Sequence, residues 1–206
     1  MVLLKSEDIL KKGDHAPDFS LKATNGKMYT LASFKAKCLL IVFMCNHCPY
    51  VKQKIKTLVE LQKKFTADEL QIVGVNSNDA LQYPDDSFEN MKKAAAAYKM
   101  NFSYLYDGAQ DAAKAYGASC TPDPFLFDAS RNLVFHGRLD DALDLGQKVT
   151  EHTMEENIIA VLSGLPVEDG FKPSVGCSIK WKKEELIKKQ KSNTSNNKNK
   201  HETPHN

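Results

Sequence analysis

The stretch CLLIVFMCNHCPYV, residues 38–51, decides how the rest of the chain is read. Its first seven residues are continuously apolar and include the β-branched Ile41 and Val42, the pattern of a strand covered on both faces. From Val51 onward the period changes. Val51, Ile55, Leu58, Val59, Gln62 and Phe65 recur at helical spacing, and Gln62 is the one polar member. A buried strand passing directly into an amphipathic helix predicts an α/β unit, and the junction carries Cys45-Asn46-His47-Cys48, two thiols three residues apart with Pro49 behind them.

Working outward, Asn25-Gly26 inside residues 13–35 predicts a tight β-hairpin ahead of that unit, and residues 1–12 read as an amphipathic lead-in. QIVGVNSN, 71–78, is a second buried strand leading into a polar loop. Asp85, Asp86 and Ser87 then supply cap residues for an alanine-rich helix over 89–100. Tyr104–Tyr106 suggests a further strand, and 109–118 a short helix stopped by Gly117. FLFD (125–128) and LVFHGRL (133–139) read as an antiparallel pair, followed by an amphipathic helix over 154–165. After Pro166 the chain reads as irregular. Strands alternating with helices predict helices covering a central mixed sheet.

Length and composition fit one domain, residues 1–181, followed by a Lys/Asn-rich tail, 182–206, expected to be disordered. That tail carries seven lysines and three glutamates, a net +4, so the body has about −2 of the total +2. Nucleic acid is thereby disfavoured as a partner. No run approaches the roughly 18 apolar residues of a membrane span, and the N-terminus lacks a secretory pattern, so the expected location is cytoplasmic. Five cysteines, an odd number, argue against a structural disulfide framework there.

The chemistry follows from the junction. A cysteine at a helix N-terminus is exposed to unpaired N–H groups and a partial positive charge, which favour thiolate. Cys45 is therefore expected to be a partly exposed thiolate, further acidified by His47. Cys48, one turn on, is expected to attack the resulting mixed disulfide. Structural zinc would require two more ligands, for which Cys38, Cys120, Cys177 or His136 are the available candidates. A proline after the second cysteine excludes the haem-attachment pattern. No cofactor is expected.

GDHAPDFSL, VFMCNHCPYV, VGVNSND, YPDDSFENM, AKAYGASCTPDPFLFD, GRLDD and GCSIKWK together resemble the thioredoxin superfamily, in its AhpC/TSA-type, peroxiredoxin-like branch. The resemblance implies a thioredoxin fold, a three-layer α/β/α sandwich around a central mixed sheet, with the hairpin as an N-terminal extension. Peroxiredoxins resemble one another in P-x-x-x-T/S-x-x-C-P, of which only Cys48-Pro49 matches; Ile41 and Cys45 fill the other slots. Thr121-Pro122 resembles the cis-proline loop of thioredoxins and implies a backbone edge left open for a substrate strand. Thioredoxins also place a buried aspartate on the strand before the CxxC. CLLIVFM has none, leaving His47, water or a carboxylate from another strand to take the proton.

These readings assign catalytic roles to Cys45, Cys48, His47 and Asn46, substrate positioning to Thr121, Pro122 and Pro49, and a candidate third redox role to Cys120 beside the proline loop. Cys38 is expected in the core, and Cys177 is a candidate late resolving cysteine. Arg138, Asp140 and Asp141 are expected in an ion pair or turn, and Trp181 as an anchor for the end of the domain. The leading function is a thiol-disulfide oxidoreductase acting on protein or low-molecular-weight disulfides and thiols. A thioredoxin or glutathione system is the expected electron donor, and a monomer or homodimer the expected state. The alternatives are an antioxidant thiol peroxidase and a metal- or partner-binding thiol module.

Overall fold

Strand β4 (Cys38–Phe43) is fully buried, as its unbroken apolar run requires, and it is the centre of the molecule. The computed structural model describes residues 3–167 and 169–183. β4 runs parallel to β5 (Leu70–Asn76), with Cys38 opposite Leu70 and Phe43 opposite Val75. On its other edge it runs antiparallel to β8 (Asp123–Phe127), with Phe43 opposite Asp123. With β2 (Ser20–Ala23), β3 (Met28–Thr30), β6 (Ser103–Tyr106), β9 (Leu133–Gly137) and β10 (Phe171–Lys172) they form an eight-stranded mixed sheet in the order β10-β9-β8-β4-β5-β6-β2-β3. The predicted hairpin is β2–β3, and β2 attaches it to the sheet through β6.

Alternation along β4 divides the core in two. Leu40 and Val42 pack with Val51, Ile55 and Leu58 of α1 (Pro49–Lys64), Met91 of α2 (Phe88–Ala97), and Met154 and Ile158 of α4 (Thr153–Leu162). Leu39, Ile41 and Phe43 face the opposite layer, where α3 (Asp111–Tyr116) contributes Ala112, Ala113 and Tyr116. The result is the three-layer sandwich and the thioredoxin fold that the family resemblance implied. Gly117 ends α3 in the left-handed conformation, as predicted. Among the described residues no helix is long and apolar enough to cross a membrane.

Two segments differ from the sequence reading. Residues 3–5 of the supposed lead-in form β1 (Leu3–Lys5), and part of the supposedly irregular stretch after Pro166 forms β11 (Val175–Ser178). Together with β7 (Cys120–Thr121) they make a second sheet in the order β1-β11-β7. Both strands are short and mutually dependent, so neither carries a periodic signal of its own. The predicted tail lies outside the described residues from position 184 onward. Trp181 packs against the core cluster that contains Ile179, as an anchor would.

The β11–β7 contact depends on Gly176. A Cβ there would fall 2.0 Å from the Thr121 carbonyl oxygen, a backbone atom that cannot swing aside. Gly176→Ala is expected to destabilise the fold by about 1–3 kcal/mol through overpacking, measured by urea unfolding. A neutral result would mean that β11 does not hold this register.

Candidate thiol site

α1 begins at Pro49, whose missing N–H is no loss at the first helical position, and this makes Cys48 the N-cap. The one-turn difference corrects the expectation for Cys45. Hydrogen bonding to Cys48, then burial and the nearby Asp86 charge, push the Cys45 thiol well above its ordinary range. The Cys48 thiol is lowered to about 5. The hydrogen bond from Cys45 is the main cause, helped by Cys177 and the Val51 backbone N–H against the cost of burial. The two thiols are thus pushed in opposite directions, Cys45 upward and Cys48 downward. Exposure is also corrected: Cys45 and Cys48 are 1% and 0% exposed.

The Thr121-Pro122 peptide is cis, as the resemblance implied. Thr121 touches both sulfurs, its Oγ1 lying 3.5 Å from Cys45 Sγ and its carbonyl oxygen 3.3 Å from Cys48 Sγ. Its backbone edge is not open, however. β11 pairs along it, with Cys177 opposite Thr121 and Ser178 opposite Cys120. The chain's own strand therefore lies where the sequence reading placed a substrate strand.

Asp86 is the residue that sequence reasoning missed. Read as a helix-cap residue, it is instead fully buried and organises the junction. It accepts from Asn46 N (2.7 Å), His47 Nδ1 (2.6 Å) and Asn78 Nδ2 (2.8 Å). Burial alone would raise its pKa, but these hydrogen bonds outweigh burial and hold the carboxyl below its usual range. Capping of α2 is left to Ser87, whose side chain accepts from Asn90 N. Asn46 is fixed further by donation to Asp85 O and by the Tyr104 hydroxyl, 3.0 Å from its Oδ1. The signal available was positional: β5 runs parallel to β4, so the loops leaving both strands share one edge of the sheet.

His47 stacks on Tyr83 (ring centroids 5.5 Å apart), and its pKa is raised chiefly by the hydrogen bond to Asp86. Raised in the folded state, His47 contributes stability that is full below its ordinary 6.5 and is lost as pH rises through the folded value. Asp86, lowered, contributes stability that is full above its ordinary 3.8 and is lost as pH falls through its folded value. The stability difference between the native chain and His47→Gln is therefore expected to be greatest between pH 3.8 and 6.5 and to shrink on either side. Denaturant titrations across pH measure it; a difference that grew above pH 6.5 would contradict the pairing.

Cys45, His47 and Asp86 bring three metal-ligating atoms within 4.8 Å of one another. Both Asp86 oxygens already accept N–H donors, so an ion would have to displace hydrogen bonds that the fold supplies. Of the other proposed ligands, Cys177 adjoins Cys48 with its sulfur 2.7 Å away, and the remaining three lie elsewhere. His136 Nε2 bonds Asp123 at 2.8 Å, and Cys38 is a core thiol pushed up to about 11, chiefly by burial. Cys120 faces Ser174 Oγ and the Pro122 carbonyl at 3.6 and 3.7 Å rather than the sulfur pair, and burial is the main cause that keeps it protonated. Asp140 pairs with Lys54, Arg138 with Glu151, and Asp141 accepts from Thr150 and Glu151, the structural roles expected of them.

Residues 12–136 match the family model described as AhpC/TSA family, more than half of the chain. The chain belongs to the AhpC/TSA family. It is 42% identical to a conserved protein of Geobacillus kaustophilus described as uncharacterized, with a TM-score of 0.84 over 89% of this chain and 98% of that one. A 103-residue region is 33% identical to the thioredoxin-like protein YneN of Bacillus subtilis, 50% of this chain and 58% of that protein. The chain spans little more than half the length of the curated relatives that it matches. The thioredoxin domain of a thiol-disulfide oxidoreductase from Bacteroides vulgatus shares the fold at 23% identity, with a TM-score of 0.54 over 62% of this chain and 88% of that one. These similarities agree with the thioredoxin fold described above.

Proposed function

We propose that the chain is a thiol-disulfide oxidoreductase whose working couple is Cys45/Cys48. The observation that carries the reading is a pair of buried cysteines at the start of α1, with Thr121 of the cis-proline loop against both sulfurs. The Cys48 thiolate attacks a substrate disulfide RS–SR, forming Cys48–S–SR and releasing RS⁻, which takes up a proton. The Cys45 sulfur, giving up its proton, then attacks the Cys48 sulfur and expels the second RS⁻. The substrate gains two electrons and two protons as 2 RSH, and the protein is left with a Cys45–Cys48 disulfide. His47 and Asp86 form the polar relay beside the pair that β4 itself lacks, and Asn46 and Pro49 fix its backbone. Re-reduction by a thioredoxin or glutathione system, in the cytoplasm, completes the cycle.

A second reading is a thiol peroxidase, favoured by the depressed Cys48 pKa and by a burial that suits a small oxidant. There Cys48 takes an oxygen from ROOH to become sulfenic acid, releasing ROH, and Cys45 closes the disulfide with loss of water. Tryptic mapping after oxidation tests the shared step: Cys45 and Cys48 lie in one peptide, 38–52, which should lose two hydrogens. Failure of either glutathione disulfide or hydrogen peroxide to link them would defeat both readings. Saturable peroxide turnover surviving the combined Cys45→Ser/Cys177→Ser substitution would defeat the exchange reading alone.

A further inference from the structure

We propose that Cys177 is a third redox thiol, presented by β11 as an internal substrate of Cys48, so that the site can close as Cys48–Cys177 as well as Cys45–Cys48. The inference rests on the redox reading of the pair and adds a partner to it. The two sulfurs are 2.7 Å apart although their residues are 129 positions apart in sequence, so no local turn accounts for the contact.

Three features hold β11 there. Its pairing with β7 sets Cys177 opposite Thr121, the residue whose side chain and carbonyl touch Cys45 and Cys48. The missing side chain at Gly176 allows that approach. On its outer edge β1 pairs with it, Leu3 opposite Cys177 and Lys5 opposite Val175, and Ser6 and Ser174 exchange hydrogen bonds just beyond. A strand paired along the cis-proline loop, with a cysteine at its centre, has the geometry of a bound disulfide substrate supplied by the protein itself. Cys120 makes the contrast. It is equally buried and adjoins Thr121, yet its sulfur turns toward Ser174.

The step balances without a new oxidant. The Cys177 sulfur, losing its proton, attacks Cys48 in the Cys45–Cys48 disulfide; the Cys45–Cys48 bond breaks, the Cys48–Cys177 bond forms, and Cys45 leaves as a thiolate that takes up the proton. From a Cys48 mixed disulfide the same attack expels RS⁻, which leaves as RSH. Burial keeps Cys177 a neutral thiol, raised to about 12, so the exchange is expected to be slower than closure by Cys45.

Trypsin leaves Cys48 in peptide 38–52, together with Cys38 and Cys45, and Cys177 in peptide 149–180, so the cross-link joins two peptides and their fragmentation identifies the cysteine of 38–52 that is linked. The full chain, and its Cys45→Ser, Cys177→Ser and Cys45→Ser/Cys177→Ser variants, are oxidised with glutathione disulfide, quenched in acid with an alkylating agent and mapped without reduction. The native chain should give both the internally linked 38–52 peptide and the cross-linked pair. Cys45→Ser should lose two titratable thiols and give only the cross-link. The double variant should stop at a Cys48–glutathione mixed disulfide. If the native chain links Cys45 to Cys48 while neither it nor Cys45→Ser ever yields the cross-link, the inference fails and the redox reading stands. No linkage of Cys48 to either sulfur overturns both. Native circular dichroism and a Cys48–glutathione adduct in the double variant establish that the variants are folded and reactive.

Discussion

Cys48→Ser should abolish turnover with disulfides and with hydroperoxides alike, a fall on the order of 10³-fold or more, because it removes the thiol whose pKa the site lowers, to about 5. At pH 7 an ordinary thiol of pKa ~8.5 is only about 3% ionised, whereas a group with a pKa of about 5 is almost wholly ionised. That ratio, roughly 30-fold, is tempered by the lower intrinsic nucleophilicity of a more acidic thiol. Cys45→Ser should behave differently. It keeps a hydroxyl donor toward Cys48 and so keeps the first attack, while losing the internal closure that gives Cys45 its role. Stopped-flow measurement of the first attack in both variants checks the assignment. A fast first phase in Cys48→Ser and none in Cys45→Ser would return the nucleophile to Cys45.

The second large effect is expected at Asp86. Asp86→Ala removes a fully buried carboxylate and strands three donors, Asn46 N, His47 Nδ1 and Asn78 Nδ2, in a site with little water to replace it. Breaking a buried charged pair by deleting one partner typically costs about 3–5 kcal/mol. The loss should appear in denaturant unfolding near pH 6 and should shrink as the pH falls below 3.8 through the folded value, where the native carboxyl becomes protonated and its contribution is lost. Asp86→Asn, which keeps one acceptor oxygen, should recover part of it. A loss under 1 kcal/mol, or one independent of pH, would mean that the carboxylate does not hold the junction together.

The sequence made the architecture readable where single segments carry their own signal. β4 lies in a run of seven apolar residues, 38–44, with no polar interruption, α1 repeats at 3.6, and Asn25-Gly26 marks its hairpin. The thiol pair and the cis Thr121-Pro122 bond were legible too, the latter through the family resemblance. What stayed hidden depends on contacts between distant segments. Leu3–Lys5 and Val175–Ser178 are strands only because they pair with one another and with β7, and Gly176 has a poor strand propensity in isolation. Asp86 sits beside Ser87 in a typical capping context, which masks a carboxylate turned inward. The placement of the thiolate hinged on where α1 begins, and Pro49 was the available clue: proline favours the first helical position, which makes Cys48 the cap.

The surrounding geometry has a functional consequence. An edge that a substrate strand would need is filled by β11, so a protein disulfide reaches the sulfurs only if β11 moves, whereas a small disulfide or hydroperoxide needs far less displacement. Low-molecular-weight oxidants are therefore the first substrates to test.

Ultraviolet titration of thiolate absorbance in the reduced chain bears most directly on the whole account. One group should ionise near pH 5 in the native protein and in Cys45→Ser, and that transition should vanish in Cys48→Ser. If no cysteine ionised below about pH 8, the range of a free thiol, the site would hold no activated sulfur and the assignment of Cys48 would be wrong.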